Sequence, residues 1–328
     1  MDLVTGAAGH IGNVLVRELL ASGVAVRALV LPGEDLQSLQ GLAIEKVEGN
    51  ILDLPSLLHA MQGIENVYHL AGVISILPGR DELVRKVNIQ GTHNVLQAAR
   101  QVGVRRVLYT SSIHALSRDC SGVIDEKVPF DANNPAGEYD RSKAEASLAV
   151  LQAVRSGLDA VIVCPTGVIG PHDYRDSEMG GLLRDLMKRK VHWLVEGGYD
   201  FVDVRDVANG MLKAMHKGRK GEVYILSGEQ INVRQLKETV QRTMGFVTPG
   251  IQVPLGLVRF ISHFTPLYYR LTGQTPKLTE YSLETICSNF NISSAKAKRE
   301  LGYTSRPLAK TIADTIHWWQ QNKQAGSA

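Results

Sequence analysis

Three glycines spaced three apart, Gly6, Gly9 and Gly12, constrain this chain more than any other feature. They lie in Thr5-Gly6-Ala7-Ala8-Gly9-His10-Ile11-Gly12. Before them, Asp2-Leu3-Val4 reads as the end of a strand; after them, Ile11, Val14, Leu15, Leu19 and Leu20 recur at helical spacing. Strand, glycine turn and helix form the context in which backbone comes close to a pyrophosphate and a helix N-terminus offers it N–H groups. The spacing departs from the tighter G-x-G-x-x-G form. The plainer alternative is a turn that only packs a helix on a strand.

Strands and helices alternate to about residue 165. Val24–Val30, Ile44–Val47, Val67–Leu70, Arg106–Tyr109 and Val161–Pro165 read as strands, and Glu82–Gln101 and Glu138–Arg155 as long helices. This alternation predicts an α/β fold built on a doubly wound parallel sheet of Rossmann type, with a dinucleotide across the carboxyl ends of its strands. Residues 1–170 are expected to form that part, with 200–230 returning to it, and 171–328 mainly a smaller, interleaved substrate lobe. Within 171–328, Asp176–Lys190, Asp206–Lys217, Asn232–Met244, Ser294–Leu301 and Leu308–Gln321 read as helices and Val223–Leu226 as a strand.

The end of the second strand would select NAD by a carboxylate or NADP by a basic residue. It reads Leu31-Pro32-Gly33, with Glu34 and Asp35 only later, so both cofactors stay open. Arg27 falls within the strand and is expected to point away from the site. Asn50, just past the third strand, is placed to hydrogen-bond an adenine amino group. Asp53, ahead of Pro55, reads at least as well as a helix cap. Small residues at Ala71 and Gly72 leave room for a cofactor, and His69 reads as a packed strand residue. Asn88 is awkward inside a helix unless its side chain has a task.

Tyr139 and Lys143 are four apart at the start of a helix and share one face. A free phenol, with a pKa of about 10, is a poor base at neutral pH; a neighbouring ammonium favours the phenolate. A phenol so tuned exchanges a proton with a substrate oxygen while hydride moves at the adjoining carbon. Ser112, at a strand end, is placed to hydrogen-bond the same oxygen. A lone Tyr-x-x-x-Lys is usually a surface helix; its occurrence downstream of the glycine turn gives it weight.

The chain resembles the extended short-chain dehydrogenases/reductases, which include sugar-nucleotide epimerases, dihydroflavonol reductases and 3β-hydroxysteroid dehydrogenases. Thr5–Gly12, Gly49–Asp53, His69–Gly72, Val87–Thr92, Tyr109–Ser112, Tyr139–Lys143, Pro165–Pro171 and Phe201–Ala208 carry the resemblance, in family order. It implies that Tyr139 is the acid/base, that Lys143 binds the nicotinamide ribose as well as tuning Tyr139, that Ser112 polarises the substrate oxygen, and that Asn88 supports this geometry. It implies cofactor contacts at Gly6, Ala8, Gly9, His10, Ile11 and Gly12, at Asn50 and Ile51, at Leu70, Ala71 and Gly72, at Thr110 and Ser111, and at Pro165, Thr166 and Gly167. Substrate contacts are expected at Ile113, His114, Val168 and Tyr199. Asn50 stands where the family usually has Asp, and Gly72 where alanine is commoner.

Sugar-nucleotide members resemble one another in an Asn after the sixth strand and an Arg before a later Asp-aromatic element. Here Val161–Pro171 holds no Asn, and Tyr199 stands where the Arg is expected. A diphosphate needs such charge-assisted donors. The segments Thr110–Ile113 and Pro165–Pro171 look more like the dihydroflavonol-reductase and hydroxysteroid-dehydrogenase branch, which implies hydride transfer between NAD or NADP and an apolar ketone or alcohol. Arg175, Arg184 and Lys188 keep the epimerase alternative open, and a dinucleotide-binding regulator without turnover is a second alternative.

Pro254–Leu271 reads as an amphipathic helix interrupted at Pro266, suited equally to roofing a cleft, to core packing or, less well, to membrane contact. Arg259, His263 and Arg270 interrupt it too often for a membrane span. A formal charge of +3 over 328 residues is too mild for a nucleic-acid partner. Cys120, Cys164 and Cys287 show no metal spacing and fit a reducing, cytoplasmic compartment. No metal is expected. No signal peptide precedes the first strand, whose abrupt start leaves room for missing native residues, and Gln324–Ala328 reads as a disordered tail. The resemblance implies a homodimer through the Glu82–Gln101 and Glu138–Arg155 helices.

Overall fold

The computed structural model of the chain describes residues 1–74, 81–262 and 285–325. Seven parallel strands form the main sheet: β1 (Asp2–Thr5), β2 (Val26–Val30), β3 (Glu45–Glu48), β4 (Asn66–His69), β5 (Arg106–Thr110), β6 (Ala160–Pro165) and, after an excursion, β10 (Val223–Leu226). Their order is β10-β6-β5-β4-β1-β2-β3. The chain winds outward from β1 in one direction and then from β4 in the other, so the switch point lies between those two strands, where an open α/β sheet places its ligand crevice. The parallel doubly wound sheet expected from the alternation is present.

Strands covered on both faces must be apolar throughout, and Ala160–Pro165 is buried along its whole length. One face packs on α1 (His10–Ala21) and α7 (Val204–Lys217) through Val14, Leu15, Leu19, Val207 and Met211. The other packs on α4 (Gly91–Val102) and α5 (Glu138–Arg155) through Val95, Ala99, Ala146 and Val150. Helix α2 (Leu54–Ala60) begins at Asp53, whose carboxylate accepts from the Ser56 N–H, with proline in the first turn. Asp53 is therefore the cap that its sequence context suggested.

The expected long helix over Glu82–Gln101 is instead three pieces: α3 (Asp81–Arg85), a π-helical turn (Lys86–Gln90) and α4. The inserted turn carries Asn88 and turns it inward. Arg27 lies in β2 and pairs with Glu45, donating also to the carbonyls of Ala60 and Gln62.

The helix Ala295–Leu301 packs against α7 and β10, and most of the remaining elements form a second group of small sheets and helices. Strands β7 (Gly167–Ile169), β9 (Gly198–Asp203) and β11 (Glu229–Asn232) form a small sheet, and β8 (His192–Leu194) pairs with β12 (Gly250–Gln252). Helices α6 (Glu178–Leu186), α8 (Val233–Thr243) and the C-terminal helix Leu308–Ala325 enclose a separate core around Phe201, Leu236, Ile312 and Trp319. A helix over Leu255–Ser262 replaces the first part of the expected Pro254–Leu271 segment; Pro266 and the rest of it lie outside the described residues. The last helix reaches Ala325, so Gln324 and Ala325 are helical rather than part of a disordered tail; residues 326–328 lie outside the described residues. Among the described residues no helix is long and apolar enough to cross a membrane.

Candidate active site

The glycine turn sits at the switch point. Gly6 has φ +69°, and a Cβ there would stand 2.7 Å from the Ala71 nitrogen, so only glycine lets the turn close on the loop after β4. Gly9 is the N-cap of α1; its side faces open space apart from the Gly6 carbonyl, 3.2 Å from where a Cβ would be. No side chain caps α1, and its first turn holds no acidic residue. This uncapped positive end beside a glycine cradle suits a dinucleotide pyrophosphate. His10 Nε2 donates to the Pro171 carbonyl, 3.1 Å away, and Asn13 donates to the His172 carbonyl, which ties the crevice to the segment after β7.

Further along, Asn50 Oδ1 accepts from the Leu52 N–H at 2.9 Å in a tight turn, with Ile51 buried beneath. Leu70, Ala71 and Gly72 line the end of β4. A Cβ on Gly72 would come 3.1 Å from Asn88 Oδ1 and 3.8 Å from Lys143 Nζ, so the space above Gly72 opens onto both side chains. Arg175 pairs with Glu34 at 2.8 Å and also donates to the Asp35 carbonyl, closing over the end of β2.

Asn88 knits the site. Its Oδ1 accepts from the Val73 N–H at 2.8 Å, and its Nδ2 donates to the Val73 carbonyl and to Ser142 Oγ, each at 3.0 Å. Ser142 in turn donates to the Tyr139 carbonyl at 2.9 Å. The loop after β4 and the first turn of α5 are thereby held to one another.

Lys143 is 6% exposed. Its Nζ donates to the Thr110 carbonyl at 2.6 Å and lies 4.8 Å from the centre of the Tyr109 ring. Burial lowers its pKa to about 8. Burial also pushes the Tyr139 phenol up, opposed by a hydrogen bond with Ser112. The lowering of Tyr139 by the Lys143 ammonium, expected from their spacing, is not the balance found: Lys143 is turned to the end of β5, and Ser112 is the group that counters burial at Tyr139. Ser112 Oγ accepts the His114 N–H at 3.2 Å, which leaves its own hydrogen for the phenol or a substrate oxygen. Ser111 instead faces α5, 2.7 Å from Ser147 Oγ. His69 is buried between Thr5 and Thr92 and, with its pKa lowered by burial to about 3, is a neutral packed residue.

Thr166 donates to Asp200 Oδ1 at 2.6 Å, and Gly167 is small because the Tyr199 ring occupies the place of its Cβ, 2.5 Å from Tyr199 Cε1. Tyr199 reaches His114, Oη to Nε2 2.6 Å, and the His114 ring lies 6.4 Å from that of Tyr139. Ile113, His114 and Tyr199 share a small cavity, whereas Val168 packs against the main core. Arg118 and Asp140, given no role in the sequence reading, join this group: Arg118 Nη2 lies 2.7 Å from Asp140 Oδ2 and 3.2 Å from His114 Nδ1. Asp140 directly follows Tyr139, which was the one available signal.

The basic residues considered for a sugar diphosphate are engaged with carboxylates: Arg175 with Glu34, Arg184 with Asp176, Lys188 with Asp185. Among the described residues no cluster of His, Cys, Asp or Glu is arranged to hold a metal ion.

Residues 3–228 match the NAD dependent epimerase/dehydratase family. The chain is 36% identical to sterol demethylase protein B of Methylococcus capsulatus, over 97% of this chain and 98% of that protein. It is 28% identical to a 3 beta-hydroxysteroid dehydrogenase/Delta 5-->4-isomerase of Mycobacterium tuberculosis, over 99% of this chain and 93% of that protein. The crystal structure of gox2253 is 32% identical and superposes with a TM-score of 0.82, covering 98% of each chain.

Proposed function

The chain belongs to the NAD dependent epimerase/dehydratase family, and from that premise we propose that it is a dehydrogenase/reductase that interconverts a ketone and an alcohol on an apolar substrate. The observation that carries this is the half-buried Tyr139 phenol hydrogen-bonded to the buried Ser112, with the buried Lys143 one helical turn on and, like Asn88, facing Gly72 at the switch point. A nicotinamide dinucleotide, when bound, supplies or accepts the hydride. The α1 N-terminus and Gly9 are suited to its pyrophosphate, Asn50 to its adenine and Lys143 to its nicotinamide ribose. Tyr139 gives its proton to the substrate oxygen in reduction and takes it back in oxidation, while Ser112 hydrogen-bonds that oxygen. Burial of the phenol favours its neutral, proton-donating form, which suits reduction.

An apolar substrate is supported by the names of the relatives, sterol demethylase protein B and a 3 beta-hydroxysteroid dehydrogenase/Delta 5-->4-isomerase; the cavity beside Tyr199 offers apolar walls at Ile113, Leu116, Ile124 and Ile292 and polar ones at Ser117, Arg118 and Asn289. Tyr199 in place of an arginine weakens the nucleotide-sugar alternative, as do the carboxylate partners of Arg175, Arg184 and Lys188. The joint presence of Tyr139 and Lys143 favours turnover over a purely regulatory protein. A homodimer through α3, α4 and α5 agrees with the exposed Leu83 on α3 and Leu148 on α5, and a cytoplasmic site of action completes the reading.

The test is NADH and NADPH oxidation, separately, against ketosteroids, dihydroflavonols and simple aryl or alkyl ketones, with UDP-sugars in parallel and products analysed. Net oxidation with an apolar ketone supports the proposal and identifies the cofactor. Interconversion of a UDP-sugar without net oxidation overturns it in favour of an epimerase.

A further inference from the structure

The contact between Tyr199 and His114 has a direction. Tyr199 Oη and His114 Nε2, 2.6 Å apart, are each able to donate or accept. The far side of the imidazole decides between them. Arg118 Nη2 lies 3.2 Å from Nδ1, and a guanidinium has N–H donors and no acceptor. Nδ1 therefore receives a hydrogen bond and carries no hydrogen. Arg118 is held in place by Asp140, whose side chain has no exposed surface.

Burial lowers the His114 pKa to about 4, so near neutral pH the ring is uncharged. A neutral imidazole keeps one N–H, and here it is on Nε2. That N–H donates to Tyr199 Oη, so the phenolic hydrogen of Tyr199 points elsewhere; among the described residues it meets no acceptor. Tyr199 itself is 8% exposed. Beside it lies a cavity of about 30 Å³ lined by Ile113, Leu116, Ile124 and Ile292 together with polar side chains such as Ser117 and Asn289, and its ring is stacked on His114 at 5.8 Å, with the Tyr139 ring edge-on to the same imidazole at 6.4 Å.

We propose that Tyr199 is a substrate-binding residue that donates its phenolic hydrogen to an acceptor oxygen of an apolar carbonyl compound, and that Asp140, Arg118 and His114 are positioning residues that fix the direction of this donation. The proposal rests on the oxidoreductase reading and adds a polarity to it. A ligand that offers an oxygen acceptor at this point is favoured, and one that offers only a donor is refused. The residue next to the acid/base, Asp140, thereby orients a second hydroxyl in the same cleft.

Two measurements test it. The first needs no substrate: nitrogen NMR of the histidines in the wild-type protein, with His114 identified by the signal lost in His114→Gln. The expected result is a neutral ring protonated on Nε2 near neutral pH; a ring protonated on Nδ1, or an imidazolium, overturns the proposal. The second compares Tyr199→Phe, His114→Gln and His114→Glu for turnover and binding of a 3-ketosteroid. Glutamine keeps an N–H toward Tyr199. Glutamate offers only acceptors there and turns the phenolic hydrogen inward. Tyr199→Phe and His114→Glu are expected to raise KM roughly tenfold with little change in kcat, while His114→Gln stays within about threefold, the worth of one such hydrogen bond. NADH affinity is unchanged in all three. Equal behaviour of the glutamine and glutamate variants overturns the proposal. If the wild type neither binds nor turns over a 3-ketosteroid, the apolar carbonyl occupant falls with the reading beneath it, and the NMR result alone decides the direction of the hydrogen bond.

Discussion

Asn88→Asp exchanges one amide nitrogen for oxygen at constant shape, so its cost follows from the bonds that nitrogen makes. Asn88 is 2% exposed. The bond from the Val73 N–H to Oδ1 survives the change. The two donated bonds, to the Val73 carbonyl and to Ser142 Oγ, are lost and become oxygen facing oxygen. At about 1 kcal/mol for each lost bond, and about 1–2 kcal/mol more for a buried carboxylate left with the Val73 N–H as its one retained donor, the variant should be about 3–4 kcal/mol less stable than the wild type. The new carboxyl has its pKa raised in the folded state, so protonation restores stability: the deficit should shrink as pH falls toward the unfolded carboxyl value of about 4. Asn88→Ala should show a comparable deficit without that pH dependence. Urea unfolding followed by circular dichroism at pH 7.5 and pH 5, with NADH affinity in parallel, makes the comparison. A loss for Asn88→Asp below about 0.5 kcal/mol, the ordinary range of a surface change, would refute the role given to Asn88, and so would a large loss that does not depend on pH.

Tyr139→Phe should keep NADH affinity and lose about 10²–10⁴-fold in turnover; steady-state rates with a ketone substrate check this, and unchanged turnover would sink the mechanism. Lys143→Met should weaken cofactor binding and slow the reaction together, and a change confined to stability would return Tyr139 and Lys143 to an ordinary helix face. Burial disfavours the Lys143 ammonium, so its cost is present in full below pH 8 and is relieved as pH rises from about 8 to the ordinary 10.5. Relative to Lys143→Met, the wild type should therefore gain about 3 kcal/mol of stability across that window, readable by denaturant titration. Gly6→Ala should cost more than about 2 kcal/mol because φ +69° is combined with a blocked Cβ position, whereas Gly33→Ala, at φ +76° with nothing within 4 Å, should cost about 1 kcal/mol, the left-handed strain alone. Light scattering should report a dimer that Leu148→Glu dissociates, and a monomeric wild type would refute the proposed interface.

The main sheet was legible because a parallel strand covered on both faces must be apolar, and its crossover helices must repeat at helical spacing. The turn at Gly6–Gly12 announced the switch point for the same local reason. The break at Asn88 was half legible: a polar residue in a helix interior stood out, but a π-helical turn leaves no mark in the apolar spacing around it. The strands of the two smaller sheets were missed: His192–Leu194 and Gly250–Gln252 run only three residues, too few for alternation to be read, and Gly198–Asp203, buried along its whole length, shows no alternation, nor does the short Glu229–Asn232. The pairing of Tyr199 with His114, 85 residues apart, and the turning of Lys143 toward Thr110 arise from the packing of separate elements. The balance at Tyr139 likewise depends on burial, which spacing does not express.

The most direct test of the central claim is the fate of deuterium carried at C4 of the reduced nicotinamide, both positions labelled, in the reaction with an apolar ketone. If the account holds, each alcohol formed carries one deuterium at its carbinol carbon, and Tyr139→Phe forms almost none of it. Alcohol free of deuterium, or labelled cofactor left intact while a UDP-sugar is interconverted, would contradict it.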